Sequence, residues 1–201
     1  MKRYELFRPR RKKEKIKMKI ILASKSPRRR ELLAKIVKDF EIIAADVDET
    51  TENIHPRDAV KILAERKGRA VSDLQADALV ISSDTLVELS GEPLGKPKSK
   101  EDAHRMLRSL SGKTHHVHTG VAVHYGGRML SAVDSAAVTF REISDKEIDD
   151  YIKTGEPMDK AGSYAIQGIG RKFIEKYDGD FDTVMGLSVK ITESLIKKIT
   201  E

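Results

Sequence analysis

Several short segments hold residues whose types and spacing suit chemistry on phosphate. The first is Ser24-Lys25-Ser26-Pro27-Arg28-Arg29-Arg30. Ser26 is a good helix N-cap and Pro27 suits the first helical position. Free N–H groups at such a terminus attract anions, and arginine forks pair with phosphate oxygens. Three cations in a row there oppose the helix macrodipole. A bound phosphate would relieve that conflict; a solvated basic first turn is the alternative. The segment lacks the glycine spacing and the Gly-Lys-Ser/Thr ending of a Walker A loop.

The second segment, Ser82-Ser83-Asp84-Thr85, follows the apolar run Leu79-Val80-Ile81. A carboxylate just past a buried strand commonly lies at the carboxyl edge of a sheet. Asp84 there suits ligation of Mg²⁺ or activation of water, or is satisfied by loop N–H groups. Lys96, fixed between Gly95 and Pro97, either meets a phosphate oxygen or decorates a surface turn. The run Asp159 to Gly168 has small residues that admit a ligand close to the backbone. Its Gln167 offers one donor and one acceptor, which match O4 and N3–H of uracil or thymine. Guanine shows a similar pair, and an ordinary structured loop is the other reading. Asp48-Glu49 is either a metal-binding or water-orienting pair or a solvated acidic loop. His115, His116 and His118 fall on alternate faces of one strand, which argues against a three-histidine metal site.

The elements that must position these groups follow from hydrophobic spacing and turn chemistry. Strands are expected at 19–23, 40–45, 79–81 with an extended 86–89, 114–125, 129–140 and 173–177. Helices are expected from Pro27, at 57–72, from Ser99, from Ser144 and at 188–200. Ser144 with Glu147 forms a capping box. Residues 157–171 read as a glycine-rich loop. The strand–helix opening favours parallel pairing and the central hairpin adds an antiparallel portion. The fold class is therefore α/β, a mixed, twisted sheet with helices packed around it.

The chain has 201 residues and a net charge of +6. Residues 1–17 hold nine Lys and Arg against two Glu, so the remainder carries −1. The basicity thus belongs to an N-terminal segment and not to the body at 18–201, which reads as one domain. Met18 directly precedes the first strand. Residues 1–17 are therefore expected to be either a product of start-site placement or a solvated basic arm that touches nucleic acid or acidic surfaces. No cysteine is present, which excludes disulfides, a thiol nucleophile and cysteine-based metal sites. No apolar run reaches the length of a membrane span or a secretory signal, so a cytoplasmic protein with no membrane partner is expected.

Taken together, the segments resemble the Maf family of nucleotide pyrophosphatases. The run from Ile21 to Leu33 looks like the family's signature, and Ser83-Asp84-Thr85, Gly95-Lys96-Pro97, Leu107 to Thr119, Asp159 to Gly168 and Gly186-Leu187 follow in the family's order. The resemblance covers about residues 19–199 and implies a fold like that of inosine triphosphate pyrophosphatases, a homodimer, and a divalent metal, Mg²⁺ or Mn²⁺. It implies hydrolysis of a nucleoside triphosphate to the monophosphate and pyrophosphate. The family's proton acceptor falls on Asp84, with Glu49 as its acidic loop residue and Asp84 and Glu49 as metal ligands. Phosphate binding falls on Ser24, Ser26, Arg28, Arg29, Lys67 and Lys96. The branch similar to dTTP/UTP pyrophosphatases carries arginine, threonine and glutamine at its specificity positions, here Arg28, Thr85 and Gln167. One departure is Asp48, where related sequences often have glutamate. Two alternatives stay open: a pyrophosphatase for 7-methyl-GTP or another non-standard nucleotide, and a nucleic-acid-binding or cell-division interaction protein acting through the basic arm.

Overall fold

A computed structural model describes residues 18–44 and 46–201. The basic segment at 1–17 lies outside the described residues. Among the described residues, seven strands form one sheet: β1 (Ile20–Leu22), β2 (Glu41–Ile42), β3 (Leu79–Leu89), β4 (Glu92–Leu94), β5 (Thr114–Tyr125), β6 (Arg128–Phe140) and β7 (Ile174–Asp178). Their order is β2-β1-β3-β5-β6-β7, with β4 on β3. β1 runs parallel to β2 and β3, and every other pairing is antiparallel. The mixed sheet expected from the sequence is thus present. Six α-helices among the described residues accompany it: α1 (Pro27–Ala34), α2 (Pro56–Ser72), α3 (Lys100–Leu110), α4 (Asp145–Lys153), α5 (Phe181–Met185) and α6 (Val189–Thr200).

Local chemistry explains the boundaries. Ser26, Ser99 and Ser188 each cap a helix by accepting the N–H three residues on. Ser144 and Glu147 make the full capping box at the start of α4. The β5–β6 hairpin turns at Gly126 and Gly127, both at positive φ, as a two-residue turn of this hand requires.

Among the described residues, β2 is shorter than expected and β4 and α5 are additional to the sequence reading, and two further differences bear on the site. The polar run 82–85 does not end a strand: β3 continues unbroken for 11 residues. Asp84 therefore stands in mid-strand, opposite Gly120 of β5. The strand persists because these side chains find partners on both faces of the sheet. Ser82 donates to the Ala64 carbonyl at 2.7 Å and Ser83 to the Gly186 carbonyl at 2.9 Å. The segment 157–171 is not plain loop but contains three short 3₁₀ turns, at Glu156–Asp159, Ala161–Ser163 and Ile169–Phe173.

β3 has its neighbours split along one edge. β1 covers its first part, with Ile20–Leu22 against Leu79–Ile81. β4 covers its last part, with Glu92–Leu94 against Val87–Leu89. Asp84 falls between them, where the sheet opens. On one face α2 lies on β3 and β5, above a small core of Ile21, Ala23, Val71, Ala78 and Val80. The larger core on the other side includes Leu79 and Ile81 together with apolar residues of α1, α3, α4 and α6.

Candidate active site

The gap in the sheet is the floor of a cleft of about 420 Å³. Ser26, Arg28, Arg29, Glu49, Lys67, Asp84, Thr85, Lys96 and Gln167 all line it. Segments that are up to 141 residues apart in the chain thus meet in one cavity, as expected from the sequence. Ser24 is not on the lining. It is buried beneath it, and its hydroxyl accepts from Arg29 Nη1 at 3.3 Å and from the Ser26 N–H at 3.2 Å. Asp48 also stays outside the cleft: its carboxylate accepts the Thr50 N–H at 2.9 Å, closing a local turn.

The pleat of β3 sorts the chemistry. Ser82 and Asp84 face α2, whereas Ser83 and Thr85 face the opposite layer. Lys67 of α2 donates to Asp84 Oδ1 at 2.5 Å and reaches Glu49 Oε1 at 2.6 Å. The hydrogen bond from Lys67 is the largest influence on Glu49 and holds its carboxyl below the ordinary range. The position of Lys67 follows from a close helix–sheet approach. A Cβ at Gly120 would overlap the backbone of Val60, and one at Gly68 would lie 2.5 Å from Ser82 Oγ. Glycine at both places lets α2 settle onto the strands beside Asp84.

Across the sheet, Arg29 Nε donates to the Gly186 carbonyl at 2.9 Å and Nη2 to Thr85 Oγ1 at 3.3 Å. Thr85 Oγ1 also lies 3.0 Å from Thr119 Oγ1, which donates to the Thr183 carbonyl at 2.7 Å. Burial lowers the Arg29 pKa from its ordinary value, opposed by the nearby Asp84 carboxylate. An arginine so held is an oriented cation with little freedom to lose on meeting a phosphate. The carbonyl of Gly186 is a site group that the sequence reading does not name, although Gly186-Leu187 is among the motifs of the resemblance; the glycine ends α5 at φ 116°, a conformation other residues rarely adopt.

Arg28 points to a different environment. Burial lowers its pKa as well, and Asp159, Tyr151 and Glu156 act against that shift. Asp159 and Gln167 also line the cleft.

Asp84 and Glu49 already converge on one cation, the Lys67 ammonium. Lys67 engages one oxygen of each carboxylate, and the remaining oxygens of the pair fit a hard divalent ion that takes its other ligands from water and substrate phosphates. Among the described residues, no cluster of three or more His, Asp or Glu forms a self-sufficient metal site. His115 is buried against Phe140 and Tyr164, away from His116 and His118, as strand alternation requires.

A family model described as Maf-like protein matches residues 19–199. The chain is 45% identical over 180 residues to the dTTP/UTP pyrophosphatase of Acholeplasma laidlawii, covering 89% of this chain and 95% of the relative. It is 45% identical to the dTTP/UTP pyrophosphatase of Bacillus pumilus, with the same coverage of each chain. It is also 45% identical to that of Thermococcus onnurineus, covering 88% of this chain and 95% of the relative. Among solved structures, it aligns with the Ham1 protein of Staphylococcus aureus at 22% identity and a TM-score of 0.45, over 63% of this chain and 72% of that one.

Proposed function

Because the chain belongs to the Maf-like protein family, we propose that its cleft hydrolyses dTTP and UTP to the nucleoside monophosphate and pyrophosphate. The observation that carries this assignment to particular residues is the Lys67 bridge. Lys67 holds Asp84 and Glu49 together in a cleft whose other walls present Arg28, Arg29 and Lys96. Carboxylates beside a set of cations suit water attack on a polyphosphate chain.

In this reading water attacks the α-phosphorus, the bond to the bridging oxygen breaks, and pyrophosphate leaves. Asp84 takes the proton of the attacking water. Its Oδ1 is engaged by Lys67, which fixes the carboxylate. Arg28, Arg29 and Lys96 stabilise negative charge as it builds on the leaving group. The Ser26 hydroxyl and the Arg28 N–H at the start of α1 add donors to the same phosphates. Asp84 and Glu49 would hold Mg²⁺ or Mn²⁺, and such an ion, when bound, neutralises phosphate charge and acidifies water.

Gln167 reads the base through its amide. Thr85 supports the reading less directly: its hydroxyl is engaged by Arg29 and Thr119, so it sets the position of Arg29. The family resemblance further supports a homodimer working in the cytoplasm; among the described residues, no helix is long and apolar enough to cross a membrane. A panel of dTTP, UTP, GTP and 7-methyl-GTP scored by pyrophosphate release tests the function. The expected result is turnover of the first two well above the purine nucleotides. Preference for 7-methyl-GTP would contradict the assignment.

A further inference from the structure

Glu156 makes more contacts than a half-buried loop carboxylate needs for its own solvation. Its Oε1 accepts the Ile169 N–H at 3.0 Å. Its Oε2 accepts the Gly170 N–H at 2.9 Å and the Tyr151 hydroxyl at 2.7 Å. That hydroxyl in turn accepts the Ala165 N–H at 3.2 Å. The three backbone donors stand at 165, 169 and 170, on both sides of Gln167. Gln167 itself is exposed to the cleft, while Ala165 and Ile166 are buried.

Two glycines are fitted to this arrangement. A Cβ at Gly168 would overlap Glu156 Oε1, and one at Gly170 would lie 2.6 Å from the Tyr151 hydroxyl oxygen. Gly168 also takes φ 132°, which other residues rarely adopt. An ionised carboxylate is the side chain for such a place, because it is acceptor-only and offers lone pairs to several donors. Tyr151 is fully buried at the end of α4, so the anchor point belongs to the rigid core.

We propose that Glu156 and Tyr151 act together as positioning residues for nucleobase selection: they lock the 165–170 segment so that the Gln167 amide meets the base in one orientation. The proposal rests on the pyrophosphatase reading and adds to it the source of pyrimidine preference. An amide can read a donor–acceptor pair only if the backbone that carries it is held in place.

The test compares wild type, Glu156→Gln and Tyr151→Phe. Glu156→Gln keeps the shape but puts an amide donor against backbone donors. Tyr151→Phe keeps both the core packing and the Glu156 charge, and removes the link to Ala165. Two quantities are read: the UTP-to-GTP ratio of kcat/KM, and inhibition by inorganic tripolyphosphate, which probes the phosphate half alone. The expected result for Glu156→Gln is a loss of about tenfold in the ratio, the scale of one misplaced polar contact. Tyr151→Phe shifts it in the same direction by less, and tripolyphosphate inhibition is unchanged in both. An unchanged ratio in folded variants overturns the proposal. So does an equal loss for UTP, GTP and tripolyphosphate, which would mark a general structural role. A wild-type protein without activity on UTP or dTTP would overturn both this proposal and the reading beneath it, whereas normal wild-type turnover with unchanged ratios would overturn the lock alone.

Discussion

The Lys67 ammonium donates to Asp84 Oδ1 at 2.5 Å across the seam between α2 and β3. Gly120 stands opposite Asp84 on the neighbouring strand, and there the backbone of α2 comes so close that a Cβ would overlap Val60. The ion pair and the close approach are therefore parts of one arrangement. Moving the helix away from Gly120 would carry Lys67 away from the carboxylate.

Gly120→Ala tests that coupling. The added methyl meets the Val60 backbone, which cannot yield as a side-chain tip can. Overpacking of this kind costs about 1–3 kcal/mol. Chemical denaturation should show that loss, and the folded variant should hydrolyse UTP more slowly than wild type. Unchanged stability would mean that α2 does not need the gap.

Lys67→Met tests the pairing through its pH dependence. The Glu49 carboxyl lies below its ordinary value of 4.5 chiefly through the Lys67 hydrogen bond. A carboxylate depressed in the folded state contributes stability that is fully present above its unfolded pKa and lost as pH falls through the folded one. The melting temperatures of wild type and variant should therefore differ at neutral pH and converge under acid. Titration of the Glu49 carboxyl by NMR should show its pKa rising in the variant. A gap in melting temperature that persists unchanged into acid would contradict this.

His115 gives a second pH signature, with a different window. Burial pushes its imidazole down to about 3 from 6.5. The unfolded chain then binds a proton that the folded protein refuses. Its contribution is complete above pH 6.5 and is lost progressively as pH falls from there towards 3. His115→Phe keeps the ring between Phe140 and Tyr164 and removes the titrating group. Its stability should fall less steeply than that of wild type between pH 6.5 and 5. Parallel curves would show that His115 does not carry the acid sensitivity.

Most of the frame and much of the site were legible in the sequence because they depend on local signals. Ser26-Pro27, Ser99 and the Ser144–Glu147 box each announce a helix start, and each helix begins there. The mid-strand place of Asp84 was not legible. A run of two serines, an aspartate and a threonine has the composition of a turn. The backbone ladder to β5 makes it a strand, and the tertiary partners Ala64, Gly186 and Thr119 satisfy its side chains. α5 was missed because five residues are too few to show a period. Glu156 left no trace for a related reason: two of its partners are backbone N–H groups 13 and 14 residues away. Backbone donors have no sequence signature.

The central claim is that Asp84 takes the proton from the attacking water. Pyrophosphate release from UTP by Asp84→Asn, beside wild type and with folding checked by circular dichroism, tests it most directly. A general base is worth about 10²–10⁴ in rate, so the folded variant should lose at least a hundredfold in kcat. Release of pyrophosphate at near the wild-type rate would contradict the account.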